Sequence, residues 1–193
     1  MDKYAKYREG LVRVGKALEK YGIDFILVGS AVLTLAYGID YDPGDLDLFI
    51  LNKSTILDYE LFEKIAQENE WDMGSTDHGT IYYEIVVSGE LLKVDLLENI
   101  LDIYIPQQIL DNPLIISISN LKVKSIKLED LLALKAKMAT KDAEDFIAEV
   151  ARILADPKSN IIINKIYLKN IIDLFPEKEN ILDRLNKNGI YID

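Results

Sequence analysis

The chain contains no cysteine and only one histidine among its 193 residues. Without cysteine there can be no disulfide, no thiolate nucleophile and no cysteine-ligated zinc, and the composition is compatible with the cytoplasm. A histidine cluster, or a serine triad with a histidine to spare, is excluded as well, because His78 is the only candidate. His78 lies in a segment typical of a surface turn, so we do not place it in a site.

Long apolar runs are also missing. The most hydrophobic stretches, such as Phe25 to Val28, are far shorter than the roughly 20 residues needed to cross a bilayer. The N-terminal segment mixes charges at helical spacing and has no apolar core followed by a small-residue cleavage site. We therefore expect no membrane span and no export, and we expect the protein to act in the cytoplasm.

Basic residues are outnumbered, with 22 Lys and Arg against 33 Asp and Glu and a net charge of −11. This balance argues against a protein that binds a long run of nucleic-acid phosphates, although a local basic patch could still bind one nucleic-acid end. With 49% hydrophobic and 28% charged residues, the composition is that of an ordinary globular protein.

Apolar spacing and glycine punctuation predict alternating helices and strands up to residue 125. The predicted helices are 3–21, 31–37 and 56–70. The predicted strands are 24–29, 46–51, a hairpin of 80–87 with 91–97 that turns at Ser88-Gly89-Glu90, and 114–118 paired with 121–123.

The rest of the chain has helical spacing, broken at Pro157. The predicted helices there are 128–139, 142–154, 159–175 and 177–187. We therefore predict an α/β (α+β) protein with a mixed β-sheet flanked by helices over 1–125, followed by a C-terminal helical bundle over 126–193.

Asp45 and Asp47 stand two residues apart at the start of the predicted strand 46–51. The two-residue period of a strand places both carboxylates on one face and Leu46 and Leu48 on the other. Two carboxylates this close stay ionised only if a cation or several donors lie between them. Oxygen ligands of this kind suit Mg²⁺, which takes its remaining ligands from water and substrate phosphates.

The same spacing also arises by chance in an acidic chain, and Asp40 and Asp42 repeat it in a loop where turn residues are expected. Position distinguishes the two pairs. Only Asp45 and Asp47 lead directly into a strand that we expect to be buried.

Two further features accompany the aspartate pair. Gly29 and Ser30 follow the first predicted strand, where a glycine lets the backbone approach a ligand and a helix start attracts phosphate. A glycine and a serine N-cap also begin many helices without a ligand. Asp95 interrupts the apolar strand 91–97, where an uncompensated charge is costly. Its partner is either a metal ion or Lys93 on the same strand face.

In chain order these residues are Val28-Gly29-Ser30, then Asp45-Leu46-Asp47, then a lone Asp95. This order resembles the signature of the nucleotidyltransferase fold of DNA polymerase beta and its minimal relatives. That signature is an apolar residue, Gly, Gly or Ser, a spacer, Asp-x-Asp and a distant third carboxylate. The resemblance implies the nucleotidyltransferase fold.

Within that superfamily, the segments 29–38 and 45–50 are similar to the abortive-infection and toxin-type nucleotidyltransferases, and the resemblance extends over residues 24–155. Those proteins usually carry an Arg and a Thr in the loop before Asp-x-Asp. Here Tyr41 and Pro43 occupy those places, a difference that bears on nucleotide or acceptor specificity more than on metal binding.

The resemblance implies a metal-dependent enzyme that moves a nucleoside monophosphate from a triphosphate such as ATP to an acceptor hydroxyl. Asp45, Asp47 and Asp95 would hold Mg²⁺, with Mn²⁺ as the alternative, and Asp95 would be the general base. Gly29 and Ser30 would bind the nucleotide, together with a lysine of the C-terminal helices. The candidate lysines are Lys135, Lys137 and Lys141.

The acceptor stays open at this point: an RNA end or a protein is favoured over a small molecule, and a toxin role would imply an antitoxin partner. One alternative is a catalytically silent nucleotide-binding or partner-binding module of the same fold, which Tyr41 and Pro43 favour. A second is a structural adaptor whose acidic residues serve solubility. The three hypotheses differ in whether a nucleoside triphosphate binds with Mg²⁺ and whether its nucleoside monophosphate is transferred to an acceptor.

Overall fold

The computed structural model describes residues 3–100 and 103–192. The chain divides into two compact units between Ile126 and Lys127. The first is built on a β-sheet, and the described residues of the second form helices. The assignment of these parts as a catalytic domain and a helical subdomain stays a prediction. None of the described helices is long and apolar enough to cross a lipid bilayer.

Helices and strands alternate in the first unit. They are α1 Ala5–Lys20, β1 Phe25–Val28, α2 Ala31–Tyr37, β2 Leu46–Ile50, α3 Tyr59–Glu68, β3 Asp72–Ser75, β4 Ile81–Val87, β5 Glu90–Leu97, α4 Gln107–Leu110, β6 Leu114–Ile118 and β7 Leu121–Ser125. The helices of the second unit are α5 Leu128–Met138, α6 Lys141–Ala155, α7 Lys165–Ile172 and α8 Lys178–Lys187.

The strands of the first unit form one seven-stranded sheet in the order β3-β4-β5-β2-β1-β7-β6. β2 runs parallel to β5 and β1 runs parallel to β7, whereas the other neighbours are antiparallel. This mixed sheet with its helices confirms the predicted fold class. The predicted pair of 114–118 with 121–123 is confirmed as β6 and β7.

Alternation along β4 and β5 separates a buried face from a partly exposed one. Along β5, Leu92, Val94 and Leu96 are buried, whereas the residues between them are partly exposed. α1 packs against β4 and β5 on the buried side, where its Gly10 lies against Leu92 and Leu46. The opposite face of β5 carries Lys93 and Asp95, which are partly exposed.

A tight turn fixes the register of the β4–β5 hairpin. Ser88 and Gly89 both have positive φ, 53° and 84°, as two-residue hairpin turns with the twist of the flanking strands require. Val87 consequently pairs with Glu90, and counting back along both strands pairs Tyr82 with Asp95. The predicted hairpin is confirmed.

Two elements were not expected from the sequence. β3 has the sequence Asp72-Met-Gly-Ser75 and lies at the edge of the sheet, where it pairs with β4 alone. Gly74 interrupts any apolar alternation in it, so the usual strand signal is missing. α4 spans only Gln107–Leu110 and is too short to show helical periodicity.

Two predicted helices begin later than expected. The segment predicted as 56–70 starts with turns, and α3 begins at Tyr59. The helix predicted over 159–175 is wrong in its first part, because α7 begins at Lys165. Asn164 caps that helix by accepting a hydrogen bond from the backbone N–H of Tyr167 at 3.0 Å, which fixes its start.

Candidate active site

Three carboxylates come together on the sheet face opposite α1. The parallel pairing of β2 with β5 places Asp47 directly beside Asp95. Asp45 immediately precedes β2 and falls on the same face, two residues before Asp47. One oxygen of each of the three side chains lies within 4.8 Å of the other two, and all three residues are partly buried. The structure thus brings together the three aspartates that the sequence singled out.

The environment of Asp95 fits a cation at this cluster. Its side chain is 14% exposed, and its buried Oδ1 has no well-aligned hydrogen bond from the described residues, although the Lys93 ammonium lies 2.8 Å away. Three carboxylate oxygens at this spacing are the hard ligands that Mg²⁺ and similar ions prefer. The donor set of three carboxylates therefore fits a divalent metal ion.

Lys93 also contacts the cluster, as the alternative explanation of Asp95 anticipated. Its Nζ donates a hydrogen bond to Oδ2 of Asp95 at 3.1 Å and lies 2.8 Å from Oδ1. Burial opposes the charge of Lys93, but the hydrogen bond to Asp95 and the charges of Asp95 and Asp45 outweigh it, and the pKa of Lys93 is raised. A salt bridge and a carboxylate cluster therefore exist side by side.

Gly29 lies against Asp47 so closely that only glycine fits. Its φ is +68°, and a Cβ built on it would lie 1.8 Å from Oδ2 of Asp47. Both the backbone conformation and the space exclude a side chain. The glycine of the sequence motif is thus placed directly beside one of the carboxylates.

Ser30 stands at the N-cap position of α2, but it does not act as the cap that we expected. Its φ and ψ are −67° and −24°, in the helical region, whereas a capping residue is usually extended. Its hydroxyl donates instead to the carbonyl of Pro43 at 3.2 Å. The serine therefore ties the start of α2 to the loop before β2.

Further hydrogen bonds hold that loop, which delivers Asp45 to the cluster. The Thr34 hydroxyl donates to the carbonyl of Tyr41, and the Tyr7 hydroxyl donates to the Asp42 carboxylate. The backbone N–H of Gly44 donates to the Tyr7 oxygen at 3.2 Å. Burial, helped by the bond to Asp42, raises the pKa of Tyr7 to about 12, so its hydroxyl stays a donor. Asp42 thus has a partner of its own.

The remaining candidate residues are on other elements of the chain. Lys135 and Lys137 are on α5 of the second unit, where each ammonium lies over a phenylalanine ring, at 5.3 and 5.9 Å from the centroid. Lys141 begins α6 and pairs with Asp145 at 3.0 Å. Their role in nucleotide binding stays a prediction. His78 is exposed in a turn.

Tyr82 also neighbours the cluster, which was not expected from the sequence. It pairs with Asp95 on one side and with Gly74 on the other, and the Lys93 ammonium lies 4.7 Å from the centroid of its ring. A signal was available, because the turn at Ser88-Gly89 fixes which residue of β4 faces Asp95. Counting outward from that turn would have found it.

Comparison with known proteins identifies a family and a fold. The model of the family described as "Nucleotidyl transferase of unknown function (DUF2204)" matches residues 7–187. The comparison with curated proteins finds no match.

Several solved structures are similar to this chain. An antigenic nucleotidyltransferase-like protein from Paracoccidioides brasiliensis has a TM-score of 0.56 at 17% identity, over 97% of this chain and 94% of that one. A candidate nucleotidyltransferase from H. pylori has a TM-score of 0.50 at 16% identity, over 97% and 82%. The antibiotic-resistance factor ANT(2'')-Ia has a TM-score of 0.48 at 14% identity, over 97% and 92%. The first two likenesses show the nucleotidyltransferase fold.

Proposed function

The chain belongs to this nucleotidyl transferase family, and from that premise we propose a metal-dependent reaction at Asp45, Asp47 and Asp95. The enzyme would move a nucleoside monophosphate from a nucleoside triphosphate to an acceptor hydroxyl. One observation carries the proposal. The carboxylates of Asp47 on β2, Asp95 on the parallel strand β5 and Asp45 just before β2 converge to within 4.8 Å.

The cluster would hold Mg²⁺, with Mn²⁺ as the alternative. The bound ion would polarise the phosphoryl group and lower the pKa of the acceptor hydroxyl. The donor set supports this role, because each of the three aspartates offers a carboxylate oxygen within 4.8 Å of the other two.

The residues of this chain would then act in a balanced group transfer. Asp95 accepts the proton of the acceptor hydroxyl, and the acceptor oxygen forms a bond to the α-phosphorus. The bond from the α-phosphorus to the bridging oxygen breaks, and pyrophosphate leaves with that electron pair. Gly29 and Ser30, which directly precede α2, are assigned to phosphate binding by the family resemblance.

The lysines of the second unit are a separate part of the proposal. Neutralising the departing pyrophosphate is assigned to one of Lys135, Lys137 and Lys141 by family resemblance. Each is tested by its own alanine variant, and the functional one should weaken triphosphate binding while the other two leave it unchanged.

Calorimetric titration tests the central proposal. ATP, GTP, CTP and UTP are titrated with Mg²⁺ into the wild type and into an Asp45→Asn, Asp47→Asn double variant. The matched control is Glu60→Gln, Glu63→Gln, which removes the same charge from exposed positions of α3. We expect Mg²⁺-dependent binding of at least one triphosphate in the wild type and the control, and none in the aspartate variant.

The two alternative hypotheses predict other results. A structural adaptor binds no triphosphate in any of the three proteins. A silent module binds one through the aspartates but transfers nothing, so a triphosphate labelled at its α-phosphate leaves every RNA, protein and small molecule of an extract unlabelled. Label on an acceptor that disappears in the aspartate variant supports transfer.

A toxin role is a further part of this proposal and rests on the similarity of segments 29–38 and 45–50 to toxin-type nucleotidyltransferases. Induced expression of the wild type should then arrest bacterial growth, and an antitoxin partner should relieve the arrest. Expression of Asp45→Asn should have no such effect. Equal growth with both proteins would remove the toxin role and leave the transfer reaction standing.

A further inference from the structure

An open cavity in the first unit lies on the sheet face that is turned away from the carboxylates. The six residues that line it are Arg13, Lys16, Ala17, Lys20, Asn69 and Trp71. Its volume is about 420 Å³, and small-molecule sites usually measure roughly 300–1,000 Å³. Trp71 packs on the buried Tyr83 of β4, and neighbouring strand residues face opposite sides, so Tyr83 points away from the face of Tyr82. The cavity is therefore separate from the carboxylate cluster.

One part of the lining is an aromatic ring that is held in place. The ring centroid of Trp71 lies 5.3 Å from that of Tyr83. The backbone N–H of Trp71 donates to the carbonyl of Ala66 at 2.9 Å, which ties its main chain to α3. The residue nevertheless stays partly exposed. A tryptophan that is supported on one side and partly exposed is suited to packing against a flat ring.

The α1 side of the lining is positive. Arg13, Lys16 and Lys20 stand three and four residues apart on α1, so their side chains share one face of the helix. The outer two have carboxylate partners, because Arg13 pairs with Glu9 and Lys20 pairs with Glu68 at 2.8 Å. Lys16 is exposed and makes no hydrogen bond or ion pair with the residues that the structure describes. The middle cation is thus left for a ligand.

The carboxylates beside this helix face do not offset all of its positive charge. Glu68 also lies 3.9 Å from the ammonium of Lys64, so one carboxylate serves two lysines. The guanidinium of Arg13 is oriented by the carbonyl of Val86, to which it donates at 3.0 Å. With Lys16 included, the charged groups of this face are four cations and two carboxylates. In a chain with a net charge of −11, such a local excess favours an anion.

We propose that this cavity binds a small aromatic phosphate, which is a molecule with a flat ring and one phosphate group. The ring packs against Trp71. The phosphate pairs with Lys16 and with the guanidinium of Arg13, whose N–H groups can hold two phosphate oxygens at once. A phosphate alone would leave Trp71 without a contact, and an uncharged ring would leave Lys16 without a partner. Binding requires no metal ion and does not depend on the proposed transfer reaction.

The fluorescence of Trp71 tests the proposal directly, because it is the only tryptophan of the chain. Phenyl phosphate is titrated into the wild type in EDTA. Inorganic phosphate carries the charge without the ring, benzyl alcohol carries the ring without the charge, and calorimetry measures the affinity of each. We expect a saturable change in fluorescence with phenyl phosphate and an affinity about fivefold or more above that of inorganic phosphate, the smaller end of a stacking contribution. Equal affinities, or no saturation with phenyl phosphate, would overturn the assignment.

Lys16 carries the charge contribution. Lys16→Met should weaken the binding of phenyl phosphate about two- to fivefold, the range of one exposed ion pair, and should reduce its dependence on salt. Lys16→Arg should bind like the wild type. The control Lys122→Met removes an exposed lysine from β7 and should also leave the affinity unchanged. An unchanged affinity in Lys16→Met, or an equal loss in Lys122→Met, would show that the phosphate does not contact Lys16.

The Asp45→Asn, Asp47→Asn double variant separates the cavity from the carboxylate cluster. It should bind phenyl phosphate like the wild type, whether or not the cluster transfers a nucleotide. Loss of binding in this variant would place the ligand at the cluster and remove the cavity site.

AMP and flavin mononucleotide are two natural sources of the same chemistry, and calorimetry in EDTA distinguishes them. Binding of either one more tightly than inorganic phosphate supports the proposal and identifies the source. If both bind no more tightly than inorganic phosphate, the aromatic phosphate assignment is wrong.

Discussion

Replacing Gly29 with alanine tests the geometry around Asp47. The new Cβ would lie 1.8 Å from Oδ2 and 2.7 Å from Cγ of Asp47, whereas real Cβ atoms essentially never approach another heavy atom within 3.0 Å. The carboxylate must therefore move by at least about 1.2 Å, the difference between the observed distance and that limit. A shift of this size displaces the Asp47 carboxylate within the cluster.

Gly38→Ala is the matched control for this substitution. Gly38 has φ +67°, almost the same as Gly29, and a Cβ there would meet nothing within 4 Å. Both variants bear the cost of a left-handed alanine, about 1–2 kcal/mol. Gly29→Ala adds the cost of overpacking, typically about 1–3 kcal/mol. Any difference between the two variants thus reports the collision with Asp47.

Urea unfolding and calorimetric titration of the triphosphate with Mg²⁺ measure the two effects. We expect Gly38→Ala to lose about 1–2 kcal/mol of unfolding free energy and to keep full binding. Gly29→Ala should lose more and should not bind the triphosphate in the Mg²⁺-dependent manner of the wild type. Equal stability of the two variants, or wild-type binding by Gly29→Ala, would refute the reasoning.

Two further predictions concern buried polar groups. Burial raises the pKa of Asp130 to about 6, against the hydrogen bonds from the Lys127 N–H and the Tyr167 hydroxyl. The folded state therefore binds the Asp130 proton more tightly than the unfolded state does. The resulting stabilisation is largest below the unfolded-state pKa of Asp130 and is lost as pH rises to about 6, by about 3 kcal/mol in total. The unfolding free energy of the wild type minus that of Asp130→Asn should fall accordingly between pH 4 and pH 7, and a constant difference would contradict the shift. Tyr83→Phe removes a 2.9 Å hydrogen bond to the Phe62 carbonyl and leaves that oxygen buried, so urea unfolding should show a loss of about 1 kcal/mol; an unchanged midpoint would show that the bond contributes nothing.

Local patterns were sufficient for most of the elements and for the identity of the site aspartates. Alternation placed Asp45 and Asp47 on one face, and the Ser88-Gly89 turn fixed the hairpin. Their contact with Asp95 could not be derived from spacing alone. It depends on the parallel pairing of β2 with β5, and which distant strands pair is decided by tertiary packing.

The misses have local physical reasons. β3 forms because it pairs with β4. Its own residues show no apolar alternation, since Gly74 has no side chain. The late start of α7 follows from one side-chain hydrogen bond at Asn164. The metal ion and Lys93 were treated as rival partners of Asp95, but Lys93 contacts both oxygens of a carboxylate that also lies in the cluster with Asp45 and Asp47.

The hairpin turn also determines where this chain can tolerate insertions. β5 is held in register by β2, so one residue added at Ser88-Gly89 would slide β4 past it by a single position. Because side chains alternate between faces, such a slip would set the buried Tyr83 against the residues that now face Tyr82. We therefore expect the length of this surface turn to be under much tighter constraint than its exposure alone would suggest.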